Sequence, residues 1–102
     1  MKLYVMHRFG SGQLSAIVCG DGGSVRLKHL VRHSPDGFEW GYGGSGPADL
    51  ARSIVGDLFE DPDPPPAIYQ AVNRELVAKL PRCGGQITEA EVNDVIDGPG
   101  VL

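Results

Sequence analysis

The residue types best suited to chemistry lie together between Gly41 and Pro47, where Gly41-Tyr42-Gly43-Gly44-Ser45-Gly46 satisfies the spacing G-x-G-x-x-G. Between a strand and a helix, such a turn lets backbone amides approach a pyrophosphate, as in dinucleotide sites. Three features oppose that chemistry here. Pro47 removes an amide donor, Asp49 adds a negative charge beside the site, and a prolyl linker with another helix follows where a parallel strand should stand. No Lys-Ser or Lys-Thr follows the glycines, so a nucleotide-hydrolase phosphate loop is not formed either. Gly43-Gly44-Ser45-Gly46-Pro47 also approaches the strained elbow that exposes a nucleophilic serine, but proline replaces its closing glycine. A catalytic Ser45 would need His7, His29 or His33 as its base. The simplest reading is a structural turn in which Ser45 or Gly46 caps the helix. By presenting Trp40 and Tyr42, such a turn suits a protein partner or a stacked base.

A second cluster is Val25 to His33, which packs Arg26, Lys28, His29, Arg32 and His33 into nine residues of a chain with net charge -4. It is suited to phosphate or an acidic protein surface, and equally to a solvated strand face that deters edge pairing. His29 and His33, four apart, could join Cys19 and Cys83 around zinc, but no close cysteine pair exists and the segment reads as a strand end and turn. No metal and no cofactor is expected. Glu60, Asp61 and Asp63 read as helix-end and linker charges, because a calcium loop needs a central glycine and a twelfth-position glutamate.

The elements that must hold these residues come from one small core, since 102 residues leave room for a single domain. Residues 1–46 read as a β-rich half, 47–97 as a helical half and 98–102 as a tail. Glycine, at 15 residues, is about twice its usual share and implies many tight turns. Residues 1–45 hold five Lys/Arg against three Asp/Glu, and residues 46–102 hold four against ten. The acidic balance argues against wholesale nucleic-acid binding. The front half suits an anionic partner and the back half a cationic one; mimicry of a nucleic-acid surface by the back half is diluted by its four basic residues. Two cysteines are too few for a disulfide framework, and no leader or bilayer-length apolar run is seen, so a cytoplasmic setting is expected.

Leu3 to Arg8 and Gln13 to Cys19 read as a β-hairpin around Phe9-Gly10-Ser11-Gly12. Val25, Leu27 and His29 alternate with Arg26 and Lys28, predicting a third strand with a basic face. Ser34-Pro35-Asp36-Gly37 is a turn leading into a short strand over Phe38 to Trp40. From Pro47, Leu50, Ala51, Ile54, Val55, Leu58 and Phe59 recur at helical spacing, with Asp49 in the first turn favouring the helix dipole. The stiff linker Asp61-Pro62-Asp63-Pro64-Pro65-Pro66 stops that helix. A second helix carries Ile68, Val72, Leu76 and Leu80, with a Glu75 to Lys79 pair, and ends at Pro81. Beyond the loop Arg82-Cys83-Gly84-Gly85, Thr88-Glu89-Ala90-Glu91 forms a capping box for a third helix reaching about Ile96. The class is α+β, a small antiparallel sheet of three to four N-terminal strands packed against two to three C-terminal helices.

The stretch His33 to Val55, with its FEWGYGGSGPADLA core, together with Ile68-Tyr69-Gln70, Val77 to Pro81 and Ile87 to Val92, resembles a family of short uncharacterised proteins of prokaryotes and their tailed phages. The resemblance implies a small sheet followed by helices, and it transfers no catalytic residue. A tryptophan common in that family before Ile87 is replaced here by Arg82-Cys83-Gly84-Gly85-Gln86.

These readings favour a non-enzymatic protein-binding module, such as a phage or mobile-element protein that engages a host complex, for instance a defence system, in the host cytoplasm. The alternative is a module for a nucleotide or other phosphate, and a small hydrolase-like enzyme ranks third. The expected contact residues are Trp40, Tyr42, Gly43, Gly44, Ser45, Arg26, Lys28, Arg32 and His33. No membrane partner is expected, and oligomeric state is left open.

Overall fold

The computed structural model describes residues 1–99. Strands β1 (Leu3–Arg8) and β2 (Leu14–Gly20) form the expected hairpin, and Gly12, at φ 92°, takes the left-handed conformation its turn requires. Strand β3 (Gly23–Arg26) pairs with β2 and is exposed throughout, ending before the predicted Leu27 and His29. The predicted strand over Phe38 to Trp40 does not form. The fourth strand is β4 (Gly84–Thr88), from the stretch read as a loop, and it pairs with β1 to give the antiparallel order β3-β2-β1-β4. Strands therefore do not all precede helices; the C-terminal half completes the sheet.

Gly84 explains why β4 was hidden in the sequence. Its φ is +113°, and a Cβ there would collide with the Met6 carbonyl oxygen, so the strand starts at a place where no side chain fits. The register puts Tyr4 opposite Val18 and Ile87, and Met6 opposite Ala16 and Gly85. Tyr4, Met6, Ala16, Val18 and Ile87 are buried, so one sheet face makes the core. Leu3, Val5, His7, Ile17 and Cys19 alternate onto the other face and are half-buried or exposed.

Three helices supply the other side of the core. Helix α1 (Ser45–Phe59) starts two residues earlier than Pro47, with Gly44 as its N-cap and no side-chain cap, so neither Ser45 nor Gly46 plays that part. Helix α2 (Pro66–Glu75) stops short of the predicted Leu80, and a 3-10 turn over Val77–Lys79 follows. Leu76 and Leu80 still pack against the core, because tightening to a 3-10 turn rotates the last residues without turning them outward. The Glu75 to Lys79 pair forms at 3.6 Å. Helix α3 (Glu89–Ile96) carries the predicted capping box, Thr88 Oγ1 accepting from the Glu91 amide at 3.1 Å and Glu91 accepting from the Thr88 amide at 3.0 Å. Of the tail, residues 100–102 lie outside the described residues. Among the described residues no helix is long and apolar enough to cross a membrane.

Candidate functional site

Helix α1 is buried along Gly46 to Gly56, polar positions included, although its apolar residues alone fill only one stripe. What covers its polar side is the loop from Leu27 to Trp40. Leu27 extends the sheet by one bond, its amide donating to the Ala16 carbonyl at 3.0 Å, and the chain then leaves the ladder. The following amides need acceptors, and α1 supplies them at 49 and 53, one turn apart. Leu30 N–H donates to Ser53 Oγ at 2.9 Å, and the amides of Arg32, His33 and Ser34 all donate to the Asp49 carboxylate at 2.9–3.3 Å. Gly56 continues the stripe, and the Leu30 side chain and the Asp61 carbonyl press on it where a Cβ would stand.

Because α1 begins at Ser45, Asp49 lies beyond the first turn in which it was expected to favour the helix dipole, and it is instead a fully buried anchor. His29 Nε2 lies 2.8 Å from its Oδ2. Burial alone would push this carboxyl up, but the His29 hydrogen bond and the three backbone amides outweigh it and hold the group below the usual carboxylate range. An ionised carboxylate only accepts, which assigns a proton to Nε2 of His29 and leaves Nδ1 as the ring's second polar atom. The imidazole also lies against Phe38, with ring centroids 4.5 Å apart.

His29 lines a cleft of about 850 Å³ between the β-hairpin and this loop. Its apolar lining includes Phe9, Leu14, Leu27 and Phe38, and its charged lining is Arg26, Lys28 and Asp36. Among the described residues neither Arg26 nor Lys28 has an ion pair or side-chain hydrogen bond, whereas Lys2 and Arg8 are bound to Asp57 and Glu39. Lys28 also borders a smaller cleft of about 320 Å³, but there Lys2 is matched by Asp57, Glu60 and Asp61. Surplus positive charge thus belongs to the larger cleft.

The expected contact residues fall into three places. Arg26 and Lys28 meet in the cleft. Arg32 and His33 lie on the far side of the loop, where Arg32 Nη1 is 3.8 Å from Asp63 Oδ1 and His33 Nε2 is 2.7 Å from the Tyr69 hydroxyl. The glycine turn forms a third place. Tyr42, Gly43 and Ser45 are exposed and Gly44 half-buried, but Trp40 is 2% exposed and is not presented at all. The Trp40 indole donates to the Arg82 carbonyl at 3.1 Å and lies under the Arg8 guanidinium, 5.3 Å from ring centre. Arg8 in turn grips the Glu39 carboxylate with both terminal nitrogens and the Arg82 carbonyl with Nε. That Arg8 hydrogen bond holds the Glu39 carboxyl below its ordinary range. Glu39 and Trp40 thereby form a clasp between β1 and the start of β4, and Trp40 is no display surface.

The two histidines weighed as metal ligands have separate partners, His29 with Asp49 and His33 with Tyr69, and among the described residues no three metal-binding side chains cluster. Asp49 and His29 form a dyad, and among the described residues no hydroxyl is bonded to His29. Sequence reasoning missed three parts of this site. His29 was read as a strand or metal residue, Asp49 as a helix-end charge, and Phe9 and Phe38 as turn and strand residues. The signal that would have found them was the polar or small triplet Asp49, Ser53 and Gly56, a second helical stripe beside the apolar one.

No curated protein and no solved structure matches the chain. A family of unknown function, DUF6166, matches residues 4–98, from the first core strand through the end of α3, and the chain belongs to that family.

Proposed function

We propose that this domain is a binding module for a small anionic ligand with a flat apolar portion, of the nucleotide class, held in the cleft beside β3. The observation that carries this reading is that Arg26 and Lys28, which have no ion-pair partner among the described residues, line a cleft with Phe9 and Phe38 and outnumber its one carboxylate, Asp36. A concave site of several hundred Å³ that joins aromatic and apolar walls to convergent polar groups is the common anatomy of small-molecule sites. Base rings would stack on the phenyl groups, phosphate would meet the cations, and His29, fixed by Asp49, would offer Nδ1 as a polar contact. The glycine turn takes no part, which moves the phosphate reading from the turn to the basic segment.

Thermal-shift screening against nucleotides, cyclic ones included, tests it. A ligand at 100 times its Kd adds about 2.7 kcal/mol of stability. Replacing Arg26 and Lys28 together by alanine should abolish that shift without changing the unliganded melting temperature. A flat screen across the panel would overturn the reading.

A second reading, a protein-binding module, is favoured by one observation. Val25, on the short edge strand β3, is 65% exposed beside Arg26. An acidic strand could pair there by adding to the sheet edge. Its partner would be a protein, and the resemblance to prokaryotic and phage proteins makes a host complex the class to search. Ser24→Pro, which removes an amide that faces away from β2 while leaving the cleft's cations in place, should abolish such capture; capture that persists in a folded Ser24→Pro protein would exclude this edge.

A further inference from the structure

Arg52, on α1, is 7% exposed, and its Nε and Nη1 have no hydrogen-bond partner. A guanidinium keeps its charge and its five N–H donors in any protein setting, so burying one with two of its three nitrogens unpartnered calls for a reason. Packing supplies part of it, since the group lies over the Tyr69 ring at 5.9 Å. Its charge is met by Asp63, which comes from the prolyl linker, is 74% exposed at its side chain, and touches Arg52 Nη2 through a single oxygen at 3.2 Å. The same oxygen lies 3.8 Å from Arg32 Nη1.

Two arginines thus converge on one carboxylate oxygen, and the Nε and Nη2 edge of Arg52 is half used. That edge is the planar fork that takes two oxygens of a phosphate in parallel. A single exposed carboxylate is a poor match for it, because surface ion pairs are screened and loose. We propose that Arg32 and Arg52 form a site for a phosphate group, and that Asp63 is a tethered occupant that phosphate must displace. The unused nitrogens of Arg52 are shielded from solvent, so entry requires Asp63 and its linker to lift away. The linker then acts as a built-in competitor, keeping the site closed to weak anions. This site lies across the loop from the cleft and does not rest on the cleft's ligand.

The test is run in a background carrying Arg26→Ala and Lys28→Ala, so that phosphate bound in the cleft gives no signal. Calorimetric titration with inorganic phosphate is compared between that background and the same protein with Asp63→Asn, while the ¹⁵N signal of Arg52 Nε is followed. Removing the competitor should tighten phosphate binding by about tenfold or more, within the usual range of coupling between sites. The Arg52 Nε signal should move with the titration, acetate at equal ionic strength should leave it in place, and Arg32→Ala should reverse the gain. Asp63 and Arg32 are both largely exposed, so these variants should fold. Unchanged affinity in Asp63→Asn, a stationary Arg52 signal at high phosphate, or an equal response to acetate would each overturn the proposal, leaving Arg52 a structural cation.

Discussion

Asp49, on a helix that begins at Ser45, accepts a 2.8 Å hydrogen bond from His29, twenty residues earlier in a loop with no regular structure. Three backbone amides of the same loop converge on the same carboxylate. Replacing Asp49 by asparagine keeps the volume but puts donors against donors. The expected cost is about 2–4 kcal/mol, the range for orphaning buried hydrogen-bond partners. Urea denaturation measures it, and faster amide exchange from Leu30 to Ser34 should accompany it. A variant as stable as the parent would show that the loop is held by Leu30 and Ser53 instead.

Stability should fall on acidification. Asp49 and Glu39 are both held below their ordinary values, so their contribution is complete above the unfolded carboxylate range, roughly pH 4–4.5, and is lost as pH falls through the lower folded values. Tyr4 works at the other end. Burial first, then its hydrogen bond to Asp57, pushes its hydroxyl up, so its contribution begins to be lost above about pH 10. Melting temperatures from pH 2.5 to 11 should trace a plateau with two falling edges. In Asp49→Asn the acid edge should be shallower.

The two aromatics of the glycine turn should behave differently. Trp40→Ala removes a buried ring from the clasp and should cost about 3–5 kcal/mol. Tyr42 is 52% exposed, and Tyr42→Ala should change stability by less than about 0.5 kcal/mol. Trp40 is the chain's single tryptophan. Its emission should therefore be blue-shifted in the native protein and move red on unfolding, a direct check on its burial.

Glu60 ends α1 in the left-handed conformation, φ 52° and ψ 43°, which costs energy for any residue with a Cβ. Glu60→Gly should therefore stabilise the domain by about 0.5–1 kcal/mol, less the unfolded-state entropy of glycine. A higher denaturation midpoint with an unchanged slope is the expected result. A lower midpoint would mean that the Glu60 side chain has a role beyond ending the helix.

Periodicity located α1, and local capping chemistry located α3, because both signals lie within a few residues of what they specify. The β1–β2 hairpin was legible for the same reason. β4 was not, since Gly84 and Gly85 look like a turn until Met6 and His7 stand opposite them, and nothing local to 82–86 reports that pairing. The site followed the same division. Arg26 and Lys28 were visible as charge, but their meeting with Phe9, Phe38 and His29 depends on a loop whose course is set by Asp49, Ser53 and Gly56 on a distant helix. Trp40 was misread because exposure of an aromatic is decided by what folds over it, here Arg8 and Arg82.

The pairing of β1 with β4 also bears on how the chain is made. Leu3 must wait for Thr88 before its strand is bonded on both sides, so during synthesis the first strand to emerge has one bare edge until nearly the whole domain has followed. Such late closure slows folding and leaves a sticky edge exposed in the meantime. Truncation within β4 should accordingly give an aggregating product, while a chain released only after α3 closes its sheet in a single step.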